Sequence, residues 1–201
     1  NIWNIKMLNN GINNLWPTPL YKTSISEDLC AELLNLLLEN ADLHKFTNGS
    51  DNLFNSNNLV IKEFKQEVKK IFSQYFDQAL GKDLNDYTPT YKGWINGNPN
   101  QGLTTHNHSG SPFVSVFYIF ARDEDQGGEL VLNDPRVNAN RGYMADFQEP
   151  FKPLHYKPKT GDVVVFPGYL YHSVNPFLTS RLRVAIPVDL FLDVKDDDDD
   201  E

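Results

Sequence analysis

Hydrophobic positions along this 201-residue chain change their period once. Between positions 24 and 81 they recur at three- and four-residue steps, and from Tyr87 onward they come in short runs broken by Gly, Pro, Asn and Asp. The first regime predicts two helices. Ser24-Ile25-Ser26-Glu27 has the spacing of a capping box, and Leu29, Leu33, Leu36 and Leu37 then form one apolar stripe. A second helix is expected over about 59–80, with Ile61, Phe64, Val68, Ile71, Phe72, Tyr75 and Phe76 on one side and Gly81 as its stop. Both stripes are read as packing surfaces that cover one face of a sheet.

The second regime predicts strands at 90–95, 113–120, 129–132, 163–166 and 182–192, with Leu154, His155 and Tyr156 on a further one. Gly127-Gly128 and Pro158-Lys159-Thr160-Gly161-Asp162 mark turns between them. No helical pattern separates these strands. The expected fold is therefore mostly β with flanking helices: a double-stranded β-helix core, jelly-roll or cupin-like, preceded by two or more helices. One domain is expected over 1–194, with helical support at about 24–81 and the jelly-roll core at about 87–193. The remainder, 195–201, reads as an acidic disordered tail.

Composition narrows the classes. Apolar residues make up 40% of the chain, including 13 Phe and 9 Tyr, enough for a real core. No run of about 18 apolar residues occurs, so no membrane span is expected. The first residues lack the basic start and apolar centre of a secretion signal. A single cysteine, Cys30, rules out an internal disulfide framework and fits a reducing cytoplasm. Six of the net nine negative charges lie in Asp196 to Glu201, leaving −3 for the rest. With no basic stripe, direct nucleic-acid binding is not expected.

The chemistry concentrates in histidines. His106 and His108, two positions apart, can point the same way at the mouth of a strand, and His172, 64 positions beyond His108, could close one face of a metal's coordination sphere. Imidazole suits iron, zinc and copper alike, so the ligands do not name the metal. In the later strand, alternation puts Arg181, Arg183 and Ala185 on one face and Leu182, Val184 and Ile186 on the other. An arginine facing into a jelly roll needs an anion, because an unpaired buried charge is costly. A dicarboxylic acid fits, with one end chelating the metal and the other paired bidentately with guanidinium.

At His172-Ser173-Val174-Asn175-Pro176 followed by Arg181, the chain resembles the 2-oxoglutarate/iron(II)-dependent dioxygenases, in the form prolyl hydroxylases carry. Val116-Phe117-Tyr118-Ile119-Phe120, Gly127-Gly128-Glu129-Leu130 and Gly161-Asp162-Val163-Val164-Val165-Phe166-Pro167 add to the resemblance. Trp16-Pro17-Thr18-Pro19, Trp94-Ile95-Asn96, His106-Asn107-His108 and Asp134-Pro135-Arg136 are similar to a branch of that superfamily found in marine bacteria and phages, which would place the protein in the host cytoplasm. The resemblance implies iron(II) on His106 and His172, and 2-oxoglutarate held through its distal carboxylate by Arg181, or failing that Arg183, with Tyr118 hydrogen-bonded to the 2-oxo acid. Dioxygen is implied as second substrate and ascorbate as a supporting reductant. Phe113, Val116, Tyr118, Leu130, Leu132 and Phe166 would form the apolar shell. The implied reaction is hydroxylation with release of succinate and carbon dioxide, on a substrate for which a peptide or protein is favoured. Loops at 96–103 and 133–153 would shape its recognition.

One position departs from the family. Most members carry Asp or Glu where this chain has His108, so three neutral imidazoles would leave the full +2 charge of iron(II) in place. Alternatively His108 is the first ligand and Gly110 takes the carboxylate position, as in iron halogenases, with His106 behind. A metal-binding module without catalysis, and a three-histidine oxygenase that uses no 2-oxo acid, complete the alternatives. His44 and His155 read as peripheral, Asp162 as structural, and Asp134 with Arg136 as either a turn pair or a substrate contact.

Overall fold

The computed structural model describes residues 17–39, 51–97, 102–122, 126–136, 151–177 and 182–194. Its first helix, α1 (Glu27–Glu39), follows a short strand β1 (Tyr21–Ser24). Ser24 therefore ends a strand, and the cap is Ser26, whose Oγ accepts the Leu29 N–H at 3.2 Å. The capping-box reading thus placed the cap two residues early; the acidic Glu27 and Asp28 sit in the first turn, where the helix dipole favours them. Helix α2 (Leu59–Tyr75) is capped by the Asn58 side chain and continues through one wider turn, Phe76–Leu80, to Gly81 at φ 61°. That left-handed residue stops the helix where the sequence predicted.

Nine strands are present among the described residues, in two antiparallel sheets. The larger has the order β1, β7 (Asp162–Pro167), β4 (Phe113–Phe120), β9 (Val184–Val194) and β2 (Tyr87–Gly93). The smaller has the order β3 (Leu103–His106), β8 (His172–Val174), β5 (Leu130–Leu132) and β6 (Leu154–Tyr156). This is the expected mostly-β double-stranded β-helix with flanking helices. Strand β4 has the predicted bounds, and β2 runs three residues earlier than predicted and stops sooner. Its Pro89 is tolerated because β2 is an edge strand. Strands β1, β3 and β8, three or four residues long and largely polar, were not anticipated as strands.

Alternation along the large sheet divides the core in two. Phe117 and Ile119 of β4, Val163 and Val165 of β7, and Val184, Ile186 and Val188 of β9 face Leu33, Phe64, Val68 and Phe72 of the helices. Val114, Val116 and Tyr118, with Val164, Phe166 and Ala185, face the smaller sheet and meet Leu130 and Leu132. The parity predicted for β9 is the observed one. Phe113 corrects the proposed apolar shell: its ring packs on Tyr75 at 5.4 Å and Phe76 at 5.2 Å, on the helix side. Being odd-numbered, it shares a face with Phe117 and not with Tyr118. Among the described residues no helix is long and apolar enough to cross a membrane.

Candidate metal and co-substrate site

Pairing of β3 with β8 sets His106 directly opposite His172. Opposed residues on antiparallel strands stand about 4.5–5.5 Å apart, so two ring side chains there must meet. Their ring centres lie 4.4 Å apart. His108 arrives by another route, on the turn after β3. Its backbone N–H donates to the Gly168 carbonyl and its own carbonyl accepts from Ser111. The Ser111 hydroxyl then reaches the carbonyls of Phe113 and Leu190. The turn is thereby fastened to β9 and to the approach to His172, and the His108 ring lies 5.1 Å from that of His172.

Each of the three rings has one nitrogen already engaged. Nδ1 of His106 meets the Thr104 carbonyl at 2.7 Å, Nδ1 of His172 the Leu170 carbonyl at 2.9 Å, and Nδ1 of His108 a carboxylate oxygen of Asp189 at 2.6 Å. A carbonyl or carboxylate can only accept, so each Nδ1 is the donor, and Nε2 is the nitrogen left for a metal. One ligand atom from each ring lies within 4.8 Å of the other two, near the span that bonds of about 2.0–2.1 Å to one shared ion permit. Burial pushes the His172 pKa down to about 4, so this ring is neutral and ready to ligate at physiological pH. The donor set fits a divalent transition metal.

The three histidines line a cavity of about 260 Å³ that also reaches Arg183. Its guanidinium lies 5.3 Å over the Tyr118 ring and donates to the Gly128 carbonyl at 3.1 Å. Burial lowers the Arg183 pKa, partly offset by Tyr118 and Glu129, yet guanidinium stays charged at any working pH. Val116, Leu130, Val174, Ala185 and Pro187 give the cavity its apolar wall. A cation held in such a wall is a receptor for an anion, and the metal face supplies a second anchor for the same molecule.

Comparison with known proteins points the same way as the motifs. Residues 92–189 match the family model described as "Putative 2OG-Fe(II) oxygenase". The match covers 98 of the 201 residues, just under half of the chain. The matched stretch contains His106, His108, His172 and Arg183. Among solved structures, a Trichoplax adhaerens prolyl hydroxylase in complex with a hypoxia inducible factor peptide fragment shares 15% identity over 86% of this chain and 83% of its own, with a TM-score of 0.61. HygX from Streptomyces hygroscopicus, with nickel and 2-oxoglutarate bound, shares 10% over 87% and 82%, at 0.60. The carbocyclase SnoK from nogalamycin biosynthesis shares 13% over 88% and 80%, also at 0.60. At these identities the likeness is one of fold. No curated protein matches the chain in sequence.

Within this jelly-roll fold, the structure brings together His106, His108, His172, Tyr118 and Arg183 of the predicted site residues. Arg181, His44, Trp16, the acidic tail and most of the loops at 96–103 and 133–153 lie outside the described residues. His155 is exposed on β6. Asp162 is structural: it accepts from Tyr156 and the Lys159 N–H and pairs with Lys22. Asp134 and Arg136 form a bidentate pair with each other. The residue missed was Asp189. Its signal was present, because parity along β9 puts 183, 185, 187 and 189 on one face.

Gly168 holds the two halves of the site together. A Cβ there would stand 1.8 Å from the Ser111 carbonyl oxygen, which is backbone and cannot swing aside. Gly168→Ala is expected to cost about 1–3 kcal/mol, the usual range for overpacking. Thermal denaturation should show a Tm lower by several degrees, and metal affinity should fall with it because the His108 turn is displaced from His172.

Proposed function

We propose that His106, His108 and His172 hold iron(II), that Arg183 receives the distal carboxylate of 2-oxoglutarate, and that the protein hydroxylates a C–H bond of a peptide or protein. The observation that carries this reading is the gathering of one ligand atom from each of three histidines within 4.8 Å of one another, in the lining of the cavity that also holds Arg183. Iron(II) and 2-oxoglutarate, when bound with dioxygen, couple decarboxylation of the 2-oxo acid to succinate with transfer of one oxygen atom to substrate. The chain's own part is positioning and shielding. The Nδ1 hydrogen bonds fix all three rings, so no reorientation is required when metal arrives. Arg183 sets which way round the 2-oxo acid lies, and Tyr118 packs beneath the guanidinium and faces the same space. Val116, Leu130 and Val174 exclude water from the reacting centre.

The position of His106 favours this arrangement over the halogenase-like register, in which that ring would stand behind the metal. The volume favours a large substrate. At about 260 Å³ the cavity is smaller than the roughly 300–1,000 Å³ typical of sites that enclose a whole small molecule. It suits 2-oxoglutarate plus the tip of a side chain presented from outside, as a peptide would present it. Ascorbate would support turnover by keeping iron reduced.

The test is succinate release from 2-oxoglutarate by protein, iron(II) and air, followed by mass spectrometry of treated cell extract. Iron-dependent succinate and a product heavier by one oxygen are expected. A product lighter by two hydrogens would instead mean ring closure or desaturation. Neither succinate nor 2-oxoglutarate binding would leave a metal-binding module.

A further inference from the structure

An imidazole ligates a metal in its neutral form, so three of them as ligands contribute no negative charge, whereas the usual acidic ligand would contribute one. The missing charge is present one bond further out. Asp189 projects from β9 on the cavity side, with a side chain only 13% exposed, and its oxygen lies 2.6 Å from Nδ1 of His108, itself 8% exposed. Its cross-strand partners are Val114 on β4 and Lys92 on β2. Among the described residues its ion-pair contact is His108. The flat of the imidazole is stacked on Trp94, at 5.6 Å and 24°. The other two rings have carbonyls behind them, which orient but carry no charge. The asymmetry singles out His108, the one ring that occupies the acidic position.

We propose that Asp189 is a positioning residue which supplies, through His108, the anionic character that the metal triad lacks. The proposal rests on the reading of these three histidines as metal ligands. A carboxylate hydrogen-bonded to the far nitrogen of a ligating imidazole polarises the ring, raises the basicity of Nε2 and fixes its orientation. The hydrogen bond is charge-assisted and partly desolvated, which makes it stronger than its carbonyl counterparts on His106 and His172. His108 and Asp189, 81 residues apart, together take the place of one direct carboxylate.

The experiment measures Ni(II) binding by calorimetry to the wild type, Asp189→Asn, His108→Ala and the double variant, with apo-protein Tm alongside. Ni(II) is the probe because it binds imidazole sites more tightly than iron(II), so weakened variants stay measurable. Asp189→Asn keeps the size and the acceptor oxygen but removes the charge. It is expected to weaken Ni(II) about 10- to 100-fold. In the His108→Ala background the same change should have no further effect, because the carboxylate then has no ligand to act through. In Co(II)-loaded protein, the hyperfine-shifted Nδ1–H resonance of His108 should move in Asp189→Asn while those of His106 and His172 stay in place. Wild-type affinity in Asp189→Asn overturns the proposal. So does an equal loss with and without His108, which would mean that Asp189 acts on the fold. If the wild type itself takes up no metal, the triad reading falls first and this inference with it.

Discussion

His172→Ala is expected to take up no iron(II) at concentrations that saturate the wild type, and to lose at least about a hundredfold in iron-dependent succinate formation. Three protein ligands are the minimum from which such sites are usually built, and two imidazoles leave the ion mostly hydrated. The fold should survive. His172 is only 4% exposed, and burial holds its pKa down to about 4, so folding desolvates a polar ring whose benefit is collected only when metal binds. Its replacement leaves a small space beside Phe166, whose ring lies 4.9 Å away, and removes that desolvation cost. Circular dichroism and apo-protein Tm should therefore stay near wild type while calorimetry shows no binding. Wild-type metal affinity in this variant would show that the metal is held elsewhere.

Arg183→Ala is expected to leave metal affinity unchanged and to weaken 2-oxoglutarate by about 3–5 kcal/mol, the usual cost of stranding one partner of a buried charge pair. That corresponds to roughly a hundred- to several-thousandfold in Kd. Arg183→Lys should recover only part of the loss, because an ammonium cannot reproduce the flat two-pronged fit to a carboxylate. The control is Arg181→Ala. Alternation in the sequence predicts the two arginines on one face, where residues two apart along an extended chain stand about 6.6–6.8 Å from each other. Arg183 is the one seen in the cavity, over Tyr118, so its removal should produce the larger loss. A large loss from Arg181→Ala with little from Arg183→Ala would move the anchor two residues back.

Much of the fold was legible because it depends on local repetition. The stripes of α1 and α2 and the alternation of β4, β7 and β9 are written in residues within a few positions of each other. The strands that carry ligands were not legible. Leu103-Thr104-Thr105-His106 and His172-Ser173-Val174 are too short and polar to show a period, and they are strands because β3 pairs with β8 and β8 in turn with β5. The Ser24 cap failed for a related reason: Ser24 is taken up by pairing with Asp162, which leaves Ser26 to cap the helix. Phe113 was misplaced because composition alone says apolar, whereas parity within β4 says which side.

By itself the sequence determined the family grammar, the three histidines and the face of β9 on which an arginine would stand. Tertiary structure alone decided that His106 and His108 converge with His172, that Arg183 occupies the cavity, and that Asp189 stands behind His108. Periodicity is a nearest-neighbour property and survives in one dimension. Which carboxylate lies 2.6 Å from an imidazole 81 residues away depends on the register of β9 against β4 and on a turn clamped at Gly168, and neither is encoded next to the residues it brings together.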